Sequence, residues 1–413
     1  MRQRLTLALA VAMAFALAVP VFGVDLVIWD YVPWRVEYYQ QFAEEYMRLH
    51  PDVNIEVQLV AQAEYVSKIQ VGMVTGTAPS AFAHHPQWIS SFAGQLAPFP
   101  HDLFPPDELV QEVLGYAPLL QDGVAYVYPL GLQGAVLFIN QDLWDNAGLG
   151  APPRTWQEAA DIGRRATRRV DGVTEVAGFF FNHGNEMMQD LFLDLNYQHG
   201  GKLYRNNGTE VALDEQPAVD AVNLINDMFQ SGISGFAGES LTFQTNRQVM
   251  LYSYAWRLQQ LAQFTDLRWT AAPIPTLTGD FHQNMARMQY YFGLSVPRSN
   301  PEEEVRAAFE FIAWAYGDDD RLMDLNSRSG TLPTKMSLWT YPEIVENPVL
   351  FTLTQTLPLS TVPGETPQWL LDALIQVRDA IWYSTGDPGI ILRDVARQIN
   401  ARLKEEPLSW VAE

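Results

Sequence analysis

The sequence predicts an α/β protein of more than one domain, with helices covering mostly parallel sheets. Three observations lead there. Residues 26–59 read as strand, helix, strand: an apolar run from Leu26 to Trp29, then Tyr39, Phe42, Tyr46 and Leu49 at helical spacing, then Val53, Ile55, Val57 and Leu59 alternating with polar neighbours. Two strands joined through a covering helix are the seed of a parallel sheet. Short apolar runs and amphipathic helices go on alternating along the chain. Finally, 413 residues exceed one ordinary domain, and a hydrophobic content of 48% is ample for sizeable cores.

Composition narrows the function. There is no cysteine, which removes disulfides and thiolate metal sites and leaves the compartment undecided on redox grounds. A net charge of −22 repels nucleic acid and anionic lipid alike. The first residues address the compartment directly. Met1-Arg2-Gln3-Arg4 is basic, Leu5 to Val19 is apolar, and Val21-Phe22-Gly23 offers a cleavage point after Gly23. The apolar run falls short of the roughly 20 residues of a spanning helix, so residues 1–23 read as a cleaved secretory signal peptide. Losing Arg2 and Arg4 makes the mature chain more acidic still.

Further elements follow in order. His50-Pro51 ends the first helix, because a residue before proline is pushed out of helical geometry. Ala63 to Val74 offers a second helix, stopped by Gly76 and Pro79, and Ala81 to Ala83 opens a third strand. Residues 99–118 are proline-rich and irregular; Val124 to Tyr128 returns as strand, broken by Pro129 and Gly131. Val136 to Ile139 is a strand closed by Asn140. Thr155 and Glu158 form a capping box at the start of a helix. Phe179 to Phe181 reads as strand and Glu186 to Tyr197 as helix. Pro217 opens a helix with Ala218, Ala221, Val222, Ile225, Met228 and Phe229 on one face. Val249 to Leu251 is a short strand, with Ser253 marking its exit. A helix follows Pro301, with Val305, Ala308, Phe309, Ile312 and Ala315 as its buried face. Gln368 to Tyr383 and Ile391 to Leu403 close the chain as helices.

The run Phe138-Ile139-Asn140-Gln141-Asp142-Leu143-Trp144-Asp145-Asn146-Ala147-Gly148-Leu149, followed by Pro152-Pro153-Arg154-Thr155-Trp156-Gln157-Glu158, resembles the signature of the family 1 extracellular solute-binding proteins of ATP-driven importers. Maltose-binding-type receptors are its best-known members. Gln141 replaces the usual lysine. Thr75-Gly76-Thr77-Ala78-Pro79 matches a second family segment, with Ser80 where an aspartate is usual. Residues 243–256 match a third, with Asn246 in place of a glycine; asparagine tolerates left-handed backbone better than most residues.

The resemblance implies a two-lobed periplasmic-binding-protein type II fold, each lobe a mostly parallel sheet with flanking helices, and three inter-lobe crossovers. It places lobe 1 at residues 24–130 plus 288–331 and lobe 2 at 131–287 plus 332–413. The crossovers fall near Pro129–Gly131, Arg287–Phe292 and Gly330–Pro333. It further implies a monomeric periplasmic receptor that captures a solute, a carbohydrate first of all, by hinge closure and hands it to the permease subunits of an ABC importer. No catalysis, cofactor or metal is implied. The lipid-modified cysteine of some relatives has no counterpart here.

No catalytic or nucleotide-binding motif is present. His84-His85 cannot easily share a metal, since neighbours on a strand face opposite ways, one buried and one solvated. The informative residues are aromatics at strand ends, where open α/β sheets bind ligands. Trp29, Asp30, Tyr31 and Trp34 leave the first strand; His85, Gln87 and Trp88 leave the third. Trp256 and Arg257 follow the strand at 249–251, and Tyr290 and Tyr291 lie in the second crossover. With Asn185 and Glu186 they form the candidate ligand-binding set that the resemblance supports: ring faces for a sugar's C–H surface, polar groups for its hydroxyls. Two readings compete. Asp30 and Glu186 could serve a secreted glycoside-acting enzyme, and the solute could instead be a polyol, glycerol phosphodiester, polyamine or oligopeptide.

Overall fold

The computed structural model describes residues 23–92, 94–180, 187–231, 243–282, 286–362, 364–383 and 386–411. They fall into two compact units, one formed by the chain up to Phe82 with Val296–Phe311, the other by Ala83–Ser295 with Ile312–Glu413.

In the first unit, β1 (Val24–Asp30) and β2 (Val53–Leu59) pair in parallel from Val24↔Val53 to Asp30↔Leu59. The helix Pro33–Leu49 connects them and buries Tyr38, Tyr39, Phe42 and Tyr46. This is the predicted strand–helix–strand unit. Ile28 and Trp29 then pair in parallel with Ala81 and Phe82 of β3 (Ala81–His84). The helix Gln62–Thr75 ends at Gly76, whose φ of 73° is the left-handed cap that glycine supplies without strain. Ser80, the departure from the family pattern, has a structural task here. Its hydroxyl accepts from Val27 N–H at 2.8 Å and donates to Glu304 at 2.6 Å, tying β1 to the returning segment.

The second unit adds β4 (Tyr128–Gln133), β5 (Ala135–Asn140), β6 (Arg168–Val170), β7 (Val173–Phe180), β8 (Tyr204–Arg205), β9 (Glu210–Val211), β10 (Gln248–Tyr254), β11 (Trp269–Pro273), β12 (Gln289–Ser295) and β13 (Leu332–Pro333). Its five-stranded sheet has the order β11-β5-β10-β7-β6. The expectation of a mostly parallel sheet is corrected here: only β7–β10 is parallel, while β5–β10, β5–β11 and β6–β7 are antiparallel. The reason lies in the connections. Asp171 and Gly172, both at positive φ, fold β6 directly back on β7.

Helices Trp156–Ala166, Met187–Gln198, Gln216–Gln230, Gln368–Tyr383 and Pro388–Glu405 supply the core around this sheet, with Trp156, Leu191, Ile225, Leu374 and Ile399 fully or almost fully buried. The Thr155–Glu158 capping box is formed as predicted, and Asn140 caps the helix Gln141–Asn146. One contact fixes how closely helix and sheet pack: a Cβ on Gly178 would stand 1.9 Å from the Gly163 carbonyl oxygen, so β7 and the helix Trp156–Ala166 meet backbone to backbone.

The strand expected at 124–128 is corrected to Tyr128–Gln133, which pairs antiparallel with β12 and β13. Gly131 is therefore no strand breaker. A Cβ there would lie 2.7 Å from Thr331 Oγ1 and 2.9 Å from Asn326 Oδ1, so the glycine permits a close approach. Ser253, read as a strand exit, lies inside β10 and is fully buried. Among the described residues, no helix is long and apolar enough to cross a membrane. Residues 1–22 of the predicted signal peptide lie outside the described residues.

Candidate solute-binding site

At the end of β1, Asp30 is wholly buried and holds Arg35 through two hydrogen bonds of 2.7 and 2.8 Å, while accepting from Val32 N–H at 2.8 Å. Its oxygens are thus engaged inside the protein. Trp29 is also buried; its indole N–H donates to Gln58 at 3.0 Å and the Lys68 ammonium sits 4.8 Å above its ring. Tyr31 and Trp34 are half-buried. Tyr31 meets Tyr65 edge-on at 4.9 Å, and the buried indole nitrogen of Trp34 has no hydrogen-bond partner among the described residues.

In the second unit the chain leaving β3 turns at Pro86–Phe92 and brings predicted residues together. His85 packs edge-on against Trp88 at 4.5 Å and against Tyr291 at 5.8 Å, and all three rings are half-buried. The turn is held from behind. The Gln87 amide pairs with the Tyr290 backbone, donating at 3.0 Å and accepting at 2.9 Å, and the Gln87 carbonyl accepts from Thr366 N–H at 3.2 Å. Gln87 therefore positions the turn, and Tyr290 sits in the core with its hydroxyl on the Leu114 carbonyl at 3.1 Å. His84 is buried, its Nε2 2.8 Å from Ser295 Oγ, and burial pulls its pKa down to about 4.

Glu365 was not visible in the sequence as part of this arrangement. Its buried carboxylate accepts Ser90 N–H at 2.6 Å and Trp410 N–H at 2.9 Å, together with Ser409 N–H, so it ties the aromatic turn to the segment around Trp410. Burial pushes its carboxyl up to about 7 against the opposing pull of those three donors.

Trp256 and Arg257 stand at the end of β10. Trp256 is half-buried against the core of the unit, and the Arg257 guanidinium lies 4.7 Å above its ring. Behind them runs a polar network that sequence reasoning missed. Arg287 bonds Asp194 at 2.9 Å and Asp190 at 2.6 Å and reaches the Tyr254 hydroxyl at 3.2 Å; the Tyr252 hydroxyl donates to Asp194 at 2.6 Å. Two aspartates four residues apart in the otherwise apolar run 190–195 were the available signal. Asn185 and Glu186 lie outside the described residues. Among the described residues, no group of histidine and carboxylate side chains could hold a metal ion.

Residues 33–321 match the model of the family described as bacterial extracellular solute-binding protein. The chain belongs to this family. Its maltotriose-binding relative in Pyrococcus abyssi is 21% identical over 363 residues, covering 83% of this chain and 74% of that one. Among solved structures, the cyclic alpha-maltosyl-1,6-maltose binding protein of Arthrobacter globiformis superposes with a TM-score of 0.77 at 19% identity, covering 93% of this chain and 100% of that one. UgpB of Mycobacterium tuberculosis, in complex with glycerophosphocholine, gives 0.78 at 16% identity, covering 93% and 99%. This solute-binding protein shares their two-lobed α/β fold.

Proposed function

We propose that this solute-binding protein is the periplasmic receptor of an ABC importer and captures a carbohydrate or a carbohydrate-like solute. The observation that carries the reading is the His85–Trp88–Tyr291 cluster, three half-buried rings brought together where a turn anchored from behind meets β12. Such rings offer apolar faces to the C–H surface of a sugar. The named ligands of the Pyrococcus and Arthrobacter proteins support it. The expected lobes, 24–130 with 288–331 and 131–287 with 332–413, the cleavage after Gly23 and the monomeric state are part of the same proposal. Capture proceeds by hinge closure of the lobes. His85, Trp88, Tyr291, Trp256 and Arg257 are the residues assigned to the ligand, with Tyr31 and Trp34 as further candidates. Asp30, Gln87 and Tyr290 are assigned to the scaffold behind them.

A thermal-shift series with maltose, maltotriose and larger maltodextrins tests the reading, because a ligand that binds only the folded state raises its stability by mass action. Small-angle scattering with the stabilising sugar should show a smaller radius of gyration; superimposable curves would replace hinge closure with a rigid site. Recovering shortened maltodextrins after incubation would favour the enzyme reading.

Trp256→Ala separates a stacking role from a packing role. As a ligand platform its loss should weaken binding by about 1.5–3 kcal/mol, on the order of tenfold to a hundredfold. The melting temperature of the free protein should then fall only slightly. A large fall with affinity intact would make Trp256 a core residue.

A further inference from the structure

Three arginines are deeply buried among the described residues: Arg35, Arg257 and Arg287. Two have carboxylates. Arg35 holds Asp30 at 2.7 Å, and Arg287 holds Asp190 and Asp194 at 2.6 and 2.9 Å. Arg257 has none. Only 7% of it is exposed, and its partners are neutral: Ser253 Oγ at 3.4 Å from Nε, Gln260 Oε1 at 2.5 Å from Nη1, and the Trp256 ring. Burial alone pulls its pKa down to about 10, so it remains a cation at neutral pH.

A buried charge without a counter-charge is strongly unfavourable, even after the surroundings relax. Local dipoles offset little of this. Arg257 opens the short helix Arg257–Leu261, whose amino end repels a cation. The carboxyl end of the helix Asp319–Ser329 approaches one residue further on, at Leu258, where a Cβ on Gly330 would stand 2.8 Å from Leu258 Cβ. A helix terminus supplies about half a charge at most. Among the described residues the counter-charge is thus missing at this position, in a chain that carries 48 acidic residues against 26 basic ones.

We propose that Arg257 is the anion-binding residue of the solute site, and that the solute carries a phosphate or carboxylate beside its hydroxyl groups. Guanidinium matches either oxyanion with paired N–H donors, and Trp256 supplies the apolar face next to it. This rests on the assignment of Trp256 and Arg257 to the ligand site. It turns the proposed solute from a neutral sugar into a sugar phosphate, a sugar acid or a glycerol phosphodiester.

The test compares the wild-type protein with Arg257→Met and Arg257→Gln, using glucose 1-phosphate, galacturonate, glycerophosphocholine and maltotriose as probes. At least one anionic probe should raise the wild-type melting temperature more than maltotriose does, and which one does so identifies the source of the anion. Both variants should bind that probe at least about a hundredfold more weakly, the loss expected for a desolvated charge pair. The free Arg257→Met protein should melt at or above the wild-type temperature, since methionine removes an uncompensated charge. Stabilisation by maltotriose alone, with both variants binding it normally, would overturn the anion while leaving the sugar reading intact. A marked loss of stability in free Arg257→Met would show that the neutral partners already satisfy the guanidinium, and would overturn it too. Stabilisation by none of the four probes would overturn the anion and the sugar reading together.

Discussion

Arg287→Ala should cost this protein about 3–5 kcal/mol, the range for breaking a buried ion pair from one side. The reason is what the substitution leaves behind. Asp194 is completely buried, and Arg287 approaches it with both Nε and the backbone N–H, at 2.9 and 3.2 Å. Asp190 loses a 2.6 Å partner at the same time. Burial already raises the Asp194 pKa, and Arg287 is the principal group opposing that rise. Without the guanidinium, Asp194 must take up a proton or admit water. Urea unfolding should therefore show a lower midpoint at an unchanged slope. Asp194→Asn added to Arg287→Ala should recover part of the loss, because it removes the stranded charge. A midpoint shift worth less than about 1 kcal/mol would mean that the network tolerates water, and the buried pair would then be a minor contributor.

The second expectation concerns pH. The Glu365 carboxyl titrates at about 7 in the folded protein and at 4.5 in the unfolded reference, so the folded state binds the proton more tightly. A group raised in this way gives stability that is complete below the unfolded value and is lost as pH rises through the folded one. Between pH 4.5 and about 7 its contribution should fall by about 3 kcal/mol and then level off. Asp194, raised in the same direction, adds to the trend. Glu365→Gln isolates the Glu365 share, since glutamine does not titrate. Urea midpoints of the two proteins should converge in acid and diverge toward neutrality, the wild type losing more. Parallel profiles would show that the three backbone donors hold the carboxylate ionised throughout.

Much of the local structure could be read before the fold was known. Thr155 with Glu158 announced a helix start, Asn140 closed the strand before it, and Asn246 takes the φ of 56° that its place in the family pattern demanded. Each of these signals is carried by a few adjacent residues. Strand pairing is not. β6 (Arg168-Arg169-Val170) is exposed along its length and has no apolar alternation, so only the Asp171-Gly172 turn betrays it. β4 was hidden because Pro129 and Gly131 look like breaks until Thr331 and Asn326 are seen pressing on Gly131. The site suffered from the same limit. Tyr290 and Tyr291 are neighbours on one strand, so they face opposite ways, and only the fold decides which one is buried. Likewise the Gln87 amide is engaged by the backbone of Tyr290, far along the chain, and Glu365 acts on a turn more than 270 residues earlier, at Ser90.

The Glu365 clasp also bears on how this protein could be made into a sensor. Ser409 and Trp410 share one carboxylate with Ser90, so a fluorescent domain fused just after Trp410 would hang from the back of the aromatic turn. A solute that shifts the turn would tug on the fused domain through two hydrogen-bonded links and no flexible spacer. The same wiring makes the position a poor one for a bulky purification handle, whose motion would reach the turn by the same route.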